Sequence, residues 1–125
     1  MGHKLLIVED NAQVRELFAF ALSDAGFSVV TADDGYAGLD CARREHPDLI
    51  LTDIEMPNLD GIGMIERLRR EPELQDIPVL VLSSVHASLL SQAVAAGACG
   101  VMQKPVQLAL LIHMIRCALG LNAAA

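Results

Sequence analysis

Leu5-Leu6-Ile7-Val8-Glu9-Asp10 opens the chain with four consecutive apolar residues closed by two carboxylates. So short an apolar run, ended by polar residues, reads as a strand buried on both faces of a parallel sheet. The pattern returns at Leu49-Ile50-Leu51, closed by Asp53, and at Val79-Leu80-Val81-Leu82, closed by Ser83-Ser84. Ser28-Val29-Val30-Thr31-Ala32 and Gly100-Val101-Met102-Gln103 are weaker versions, as expected nearer a sheet edge.

Helical patterns lie between these runs. Ala12–Ala25 places Val14, Leu17, Phe18, Ala21 and Leu22 on one stripe, and Gly26 follows as a stop. Gly35–His46 is a second helix, ended by Pro47. Ile62, Ile65 and Leu68 mark a third that stops before Pro72, and Leu90, Ala93, Val94 and Gly97 mark a fourth. Pro105 opens the fifth, where proline is best tolerated. Strand and helix alternating five times predict an α/β fold, a parallel sheet with helices on both faces and right-handed crossovers. Ligands of such sheets bind beyond the carboxyl ends of the strands.

The 125 residues are expected to form one domain, 1–125, with a core over about 4–119. A 53% hydrophobic, 20% charged composition is globular, and a net charge of −7 argues against direct nucleic-acid binding. It favours cations or basic partners instead. Cys41, Cys99 and Cys117 are odd in number and lack CxxC spacing, which fits a reducing compartment. No signal peptide precedes the first strand, and the C-terminal apolar stretch, broken by His113 and Arg116, is too short to span a bilayer. A cytoplasmic protein with no membrane contact is expected.

The residues that follow the strands carry the chemistry. Glu9-Asp10, Asp53, Ser83-Ser84 and Lys104-Pro105 would converge on one sheet edge. Each has a plainer reading: Glu9-Asp10 as helix caps, Asp53 as a turn residue before Pro57, either serine as an N-cap. Lys104 is different, because a cation ahead of a helix N-terminus needs a nearby anion. Clustered carboxylates with few ligands suit Mg2+ better than a closed calcium cage. With a lysine and a hydroxyl they make a phosphoryl-transfer site. His3, His46, His86 and His113 lack ligand spacing, and Gly61-Ile62-Gly63 reads as the turn into the third helix.

These motifs resemble the receiver domain of two-component response regulators, from about Lys4 to Leu119. The resemblance rests on Leu5 to Asn11, on Pro47 to Gly61 with Asp53 inside it, on Ile77 to Ser84, and on Gly97-Ala98 followed by Lys104-Pro105. It implies a doubly wound, flavodoxin-like (βα)5 fold with strand order 2-1-3-4-5. It further implies Asp53 as phosphoacceptor, served by a sensor histidine kinase or a histidine phosphotransfer protein. Glu9, Asp10, Asp53 and the backbone carbonyl of Glu55 would hold Mg2+; Ser83 would be the switch hydroxyl and Lys104 the phosphoryl-pairing lysine. Ser84 fits a position that is usually small, and the Lys104-Pro105 bond is often cis. The protein would catalyse only its own phosphorylation and dephosphorylation, and would pass the signal to a downstream protein or a fused output domain.

Several positions stand apart. Val101 replaces the usual switch aromatic, so read-out is expected through backbone and helix shifts around the fourth and fifth helices. Glu55 is placed to influence the hydrolytic water. Phe20 lies opposite the expected stripe of the first helix, which borders the phosphodonor surface in this family. On the last helix Leu108, Leu111, Ile112, Ile115 and Leu119 suffice for a core stripe; Leu110, Met114, Cys117 and Leu121 add apolar surface, which fits a homodimer or partner interface on the fourth-helix to fifth-helix face or a cut edge where a following domain packed. A haloacid-dehalogenase-like phosphohydrolase is the competing enzyme, but its Asp-x-Asp motif is absent after the first strand. A constitutive pseudo-receiver would not need the complete set of Asp53, acid pair, Ser83 and Lys104.

Overall fold

Parallel strands cannot be joined by tight turns, so each pair here is spanned by a helix. The computed structural model describes residues 2–83 and 87–121, which leaves Ser84, His86 and the terminal alanines outside the described residues. Along the chain run β1 (Lys4–Val8), α1 (Ala12–Asp24), β2 (Ser28–Ala32), α2 (Gly35–Glu45) and β3 (Leu49–Thr52). Then follow α3 (Gly61–Leu68), β4 (Val79–Ser83), α4 (Ala87–Ala96), β5 (Gly100–Gln103) and α5 (Leu108–Ala118). All strand pairs are parallel, in the expected order β2-β1-β3-β4-β5. The two weaker runs, β2 and β5, are indeed the edges.

Alternation along each strand divides the core in two. Leu6, Val8, Ile50, Val79 and Val81 pack with Leu39, Ile65, Leu68 and Ala93 from α2, α3 and α4. Leu5, Ile7, Leu49, Leu51, Leu80 and Leu82 pack with Leu22, Leu111 and Ile115 from α1 and α5. Because β1, β3 and β4 are covered on both sides, their apolar runs are unbroken. Each such side chain contributes about 2 kcal/mol on burial.

Four helical assignments need correction. Leu17 is 66% exposed, whereas Phe18 and Leu22, from the same expected stripe, do face the core and Ala19 joins them. Helix α1 holds more apolar residues than one face can bury, so the expected stripe was too wide by Leu17. Val94 and Leu108 are likewise exposed, while Ala93, Leu111 and Ile115 carry the buried faces of α4 and α5. Pro105 does not open α5. It lies in the preceding turn, after a cis bond from Lys104, and the helix starts at Leu108 with Gln107 as N-cap. The intervening Val106 packs onto the α1–α5 core before the helix begins.

All sixteen carboxylate side chains occur at or before Asp76, so α4, β5 and α5 carry none. Among the described residues no helix is long and apolar enough to cross a membrane.

Candidate functional site

Sheet register assembles the site. Val8 pairs with Thr52 across β1 and β3, so the next residues, Glu9 and Asp53, emerge side by side. Ser83 pairs with Gln103 across β4 and β5, and the Ser83 carbonyl accepts from the Lys104 backbone N–H at 2.9 Å. The Lys104 side chain then returns over the sheet edge. Its Nζ lies 3.1 Å from Glu9 Oε1 and 3.2 Å from Asp53 Oδ2. The anion that Lys104 required is therefore a pair of carboxylates from β1 and β3.

Glu9, Asp10 and Asp53 bring carboxylate oxygens within 4.8 Å of one another. Glu9 is buried, Asp53 half-buried and Asp10 exposed, so the cluster opens to solvent on the Asp10 side. Neither Glu9 nor Asp10 caps α1. Asn11 does so, its Oδ1 accepting from Val14 N–H at 3.0 Å. Glu9 is pinned from three sides: Oε2 accepts from Asn11 N–H, Oε1 meets Lys104, and its carbonyl accepts from Arg15 at 2.8 Å. Burial works against both partners of the ion pair. At Glu9 it dominates, pushing the carboxyl up despite the Asn11 and Lys104 contacts. At Lys104 burial pulls down, but Glu9 and Asp53 overcome it and hold the ammonium charged. Three hard oxygen donors of this kind, open on one side, fit Mg2+ with room for water and phosphate oxygens.

Asp53 is fixed by its own loop. Its Oδ1 accepts from Ile54 N–H at 2.7 Å, and its carbonyl accepts from the Thr52 hydroxyl at 2.8 Å. Gly61 N–H donates to the Ile54 carbonyl at 2.8 Å, and Asp60 caps α3 through Gly63 N–H at 2.7 Å. Glu55 is exposed, and its side chain does not join the three-carboxylate cluster. Ser83 is fully buried at the end of β4.

Sequence reasoning missed the supporting residues. Arg15 reads as an ordinary helix cation, yet it holds the Glu9 carbonyl. Asp34 reads as a turn residue, yet its Oδ1 caps α2 through Ala37 N–H and its Oδ2 accepts from Asn58 at 2.6 Å. Arg69 reads as surface charge but donates to the carbonyls of Gln75, Ile77 and Gly97 at 2.8–2.9 Å. A polar side chain followed three residues on by an amide it can cap was the available signal for Asp34; nothing in the spacing announced the other two.

The chain is similar to several known proteins. The chain is 31% identical over 121 residues to the polar-differentiation response regulator DivK of Brucella ovis, covering 96% of this chain and 98% of that protein. It is 42% identical over 107 residues to a protein-glutamate methylesterase/protein-glutamine glutaminase of Anaeromyxobacter dehalogenans, 82% of this chain but 29% of the relative. Against that relative and a probable transcriptional regulator of Porphyridium aerugineum, the chain spans only about a third of their length. The receiver domain of the sensor histidine kinase PA1611 from Pseudomonas aeruginosa, solved with a magnesium ion coordinated in its active site cleft, superposes with a TM-score of 0.89. Identity there is 26%, covering 96% of this chain and 99% of that one. Residues 5–116 match the response regulator receiver domain, and the chain belongs to that family, whose work is phosphorylation-based two-component signalling.

Proposed function

We propose that this receiver domain is a switch whose phosphoacceptor is Asp53, with Mg2+ held by Glu9, Asp10, Asp53 and the backbone carbonyl of Glu55. The observation that carries the reading is the Lys104 ammonium lying between Glu9 and Asp53 at the open carboxyl edge of the sheet. A carboxylate oxygen of Asp53 attacks phosphorus in line, and the bond from phosphorus to the donor imidazole breaks. The imidazole leaves and takes up a proton, and an acyl phosphate remains on Asp53. Lys104 then pairs with a phosphoryl oxygen, and the Ser83 hydroxyl donates to another. Mg2+ held by Glu9, Asp10, Asp53 and the Glu55 carbonyl would supply charge compensation for the phosphoryl group. Water later attacks the phosphorus, restores Asp53 and releases inorganic phosphate, a reaction the chain performs only on itself.

The donor is a sensor histidine kinase or phosphotransfer protein in the cytoplasm. Phe20, 74% exposed beside the exposed Leu17 on α1, belongs to the surface it meets. The output leaves by the α4–β5–α5 side, where Leu108, Leu110 and Leu121 are exposed and a cavity of about 540 Å³ runs past Val101, Leu110 and Met114. That face serves a downstream protein, an attached output domain or a second copy of the chain. With Val101 in place of an aromatic, the change is carried by shifts of β5 and its flanking helices rather than by a swinging ring.

The test is labelling with radioactive acetyl phosphate. The expected result is Mg2+-dependent incorporation that disappears in Asp53→Asn; incorporation that survives the substitution refutes the assignment. Turnover of a generic phosphomonoester would instead favour a phosphohydrolase.

A further inference from the structure

The loop that follows Asp53 is not held by the sheet alone. Asn58 sits at its apex with φ of 71°, and its amide donates to Asp34 Oδ2 at 2.6 Å. The other oxygen of the same carboxylate caps α2 through Ala37 N–H at 2.8 Å. Next to it, Gly35 N–H donates to the Leu59 carbonyl at 3.0 Å, and a Cβ on Gly35 would collide with the Leu59 backbone. One step along the same seam, the Arg67 guanidinium of α3 lies 5.3 Å from the centre of the Tyr36 ring of α2. The N-terminus of α2 is thus bolted to the far side of a loop whose near side carries Asp53 and the Glu55 carbonyl.

We infer that Asp34 and Asn58 are positioning residues for the phosphoacceptor site, acting through the 54–60 loop to fix where Asp53 and the Glu55 carbonyl stand. The inference rests on the proposed Mg2+ and phosphoryl chemistry and adds a remote anchor to it. An outer partner that orients ligands in this way is felt in metal affinity as well as in folding. The Asp34 carboxyl is held below the usual range, first by Ala37 N–H and then by Asn58, so it keeps the charge that makes both bonds strong.

Asn58→Gly isolates the tie, because glycine keeps the left-handed turn and leaves the α2 cap untouched. In the metal-free protein, amide exchange at Ile54 and Gly61 is expected to accelerate while exchange within α2 stays unchanged. In the loaded protein, calorimetric Mg2+ affinity is expected to fall by about tenfold, the lower end for loss of an outer partner. Asp34→Ala should produce the same loss, and the double variant no more, since both break one link. Wild-type exchange at Ile54 and Gly61 in Asn58→Gly overturns the inference, and so does full additivity of the two affinity losses. A wild-type chain that binds no Mg2+ overturns the underlying metal reading instead, and the exchange result then decides the anchor by itself.

Discussion

Gly61 packs its α-carbon directly against the backbone carbonyl of Asp53, leaving no room for a methyl group between them. The contact fixes how closely α3 approaches the end of β3, and the neighbouring bond from Gly61 N–H to the Ile54 carbonyl locks it. Gly61→Ala must push the Asp53 backbone or the start of α3 aside. Overpacking of this kind costs about 2 kcal/mol. Urea unfolding should show that loss, and acetyl phosphate labelling should fall further than the stability change explains.

Lys104 pairs with two of the carboxylates, Glu9 and Asp53, that would hold the proposed metal ion. Lys104→Met should therefore tighten Mg2+ binding while slowing phosphoryl transfer, a split that calorimetry and labelling measure separately. The pH dependence has a definite sign. Lys104 is raised above its ordinary value of 10.5, so its pairing stabilises the fold fully below that pH and is lost as pH climbs through the raised value. The metal-free advantage of wild type over Lys104→Met should hold at pH 8 and shrink above about pH 10.5. An advantage that is flat across that range would contradict the pairing.

Arg69 donates to three backbone carbonyls, from the α3–β4 connection and from Gly97 after α4. Gly97 has φ of 121°, and a Cβ there would strike the Arg69 side chain. Arg69→Met leaves those carbonyls without their charged donor, a loss of about 3 kcal/mol. Lysine should not rescue it, because one ammonium cannot fork to three acceptors set apart. Chemical unfolding of the three proteins checks both statements.

Glu55 stands two residues beyond Asp53 and faces solvent. Glu55→Asn removes a charge that can orient the hydrolytic water, so the phosphorylated form should persist about threefold longer, far less than loss of a full general base. An unchanged decay rate after removal of acetyl phosphate would dismiss the role.

Most of the architecture was legible because the three central strands are buried on both faces, and burial on both faces leaves an unbroken apolar run that no loop imitates. Glu9, Asp10, Asp53 and Lys104 were legible for a related reason: parallel strands all end at one edge, so residues that follow them must meet. Leu17 and Leu108 were misplaced because α1 and α5 carry more apolar residues than their core faces use. Asp34 with Asn58, and Arg69 with its carbonyls, were invisible because both link segments distant in sequence through hydrogen bonds, which leave no period in the chain.

The confinement of every acidic side chain to the chain up to Asp76 leaves α4, β5 and α5 electrically different from the rest of the molecule. A basic partner is drawn from a distance toward the acidic side, and that attraction fades once salt shortens its reach to about 10 Å at 0.1 M. The α4–β5–α5 side, without acidic side chains, would gain the proposed contacts by excluding water from its exposed leucines. Added salt should therefore slow the encounter with a cationic phosphodonor while sparing, or strengthening, whatever the other side holds. One solution variable can set the two halves of the signal against each other.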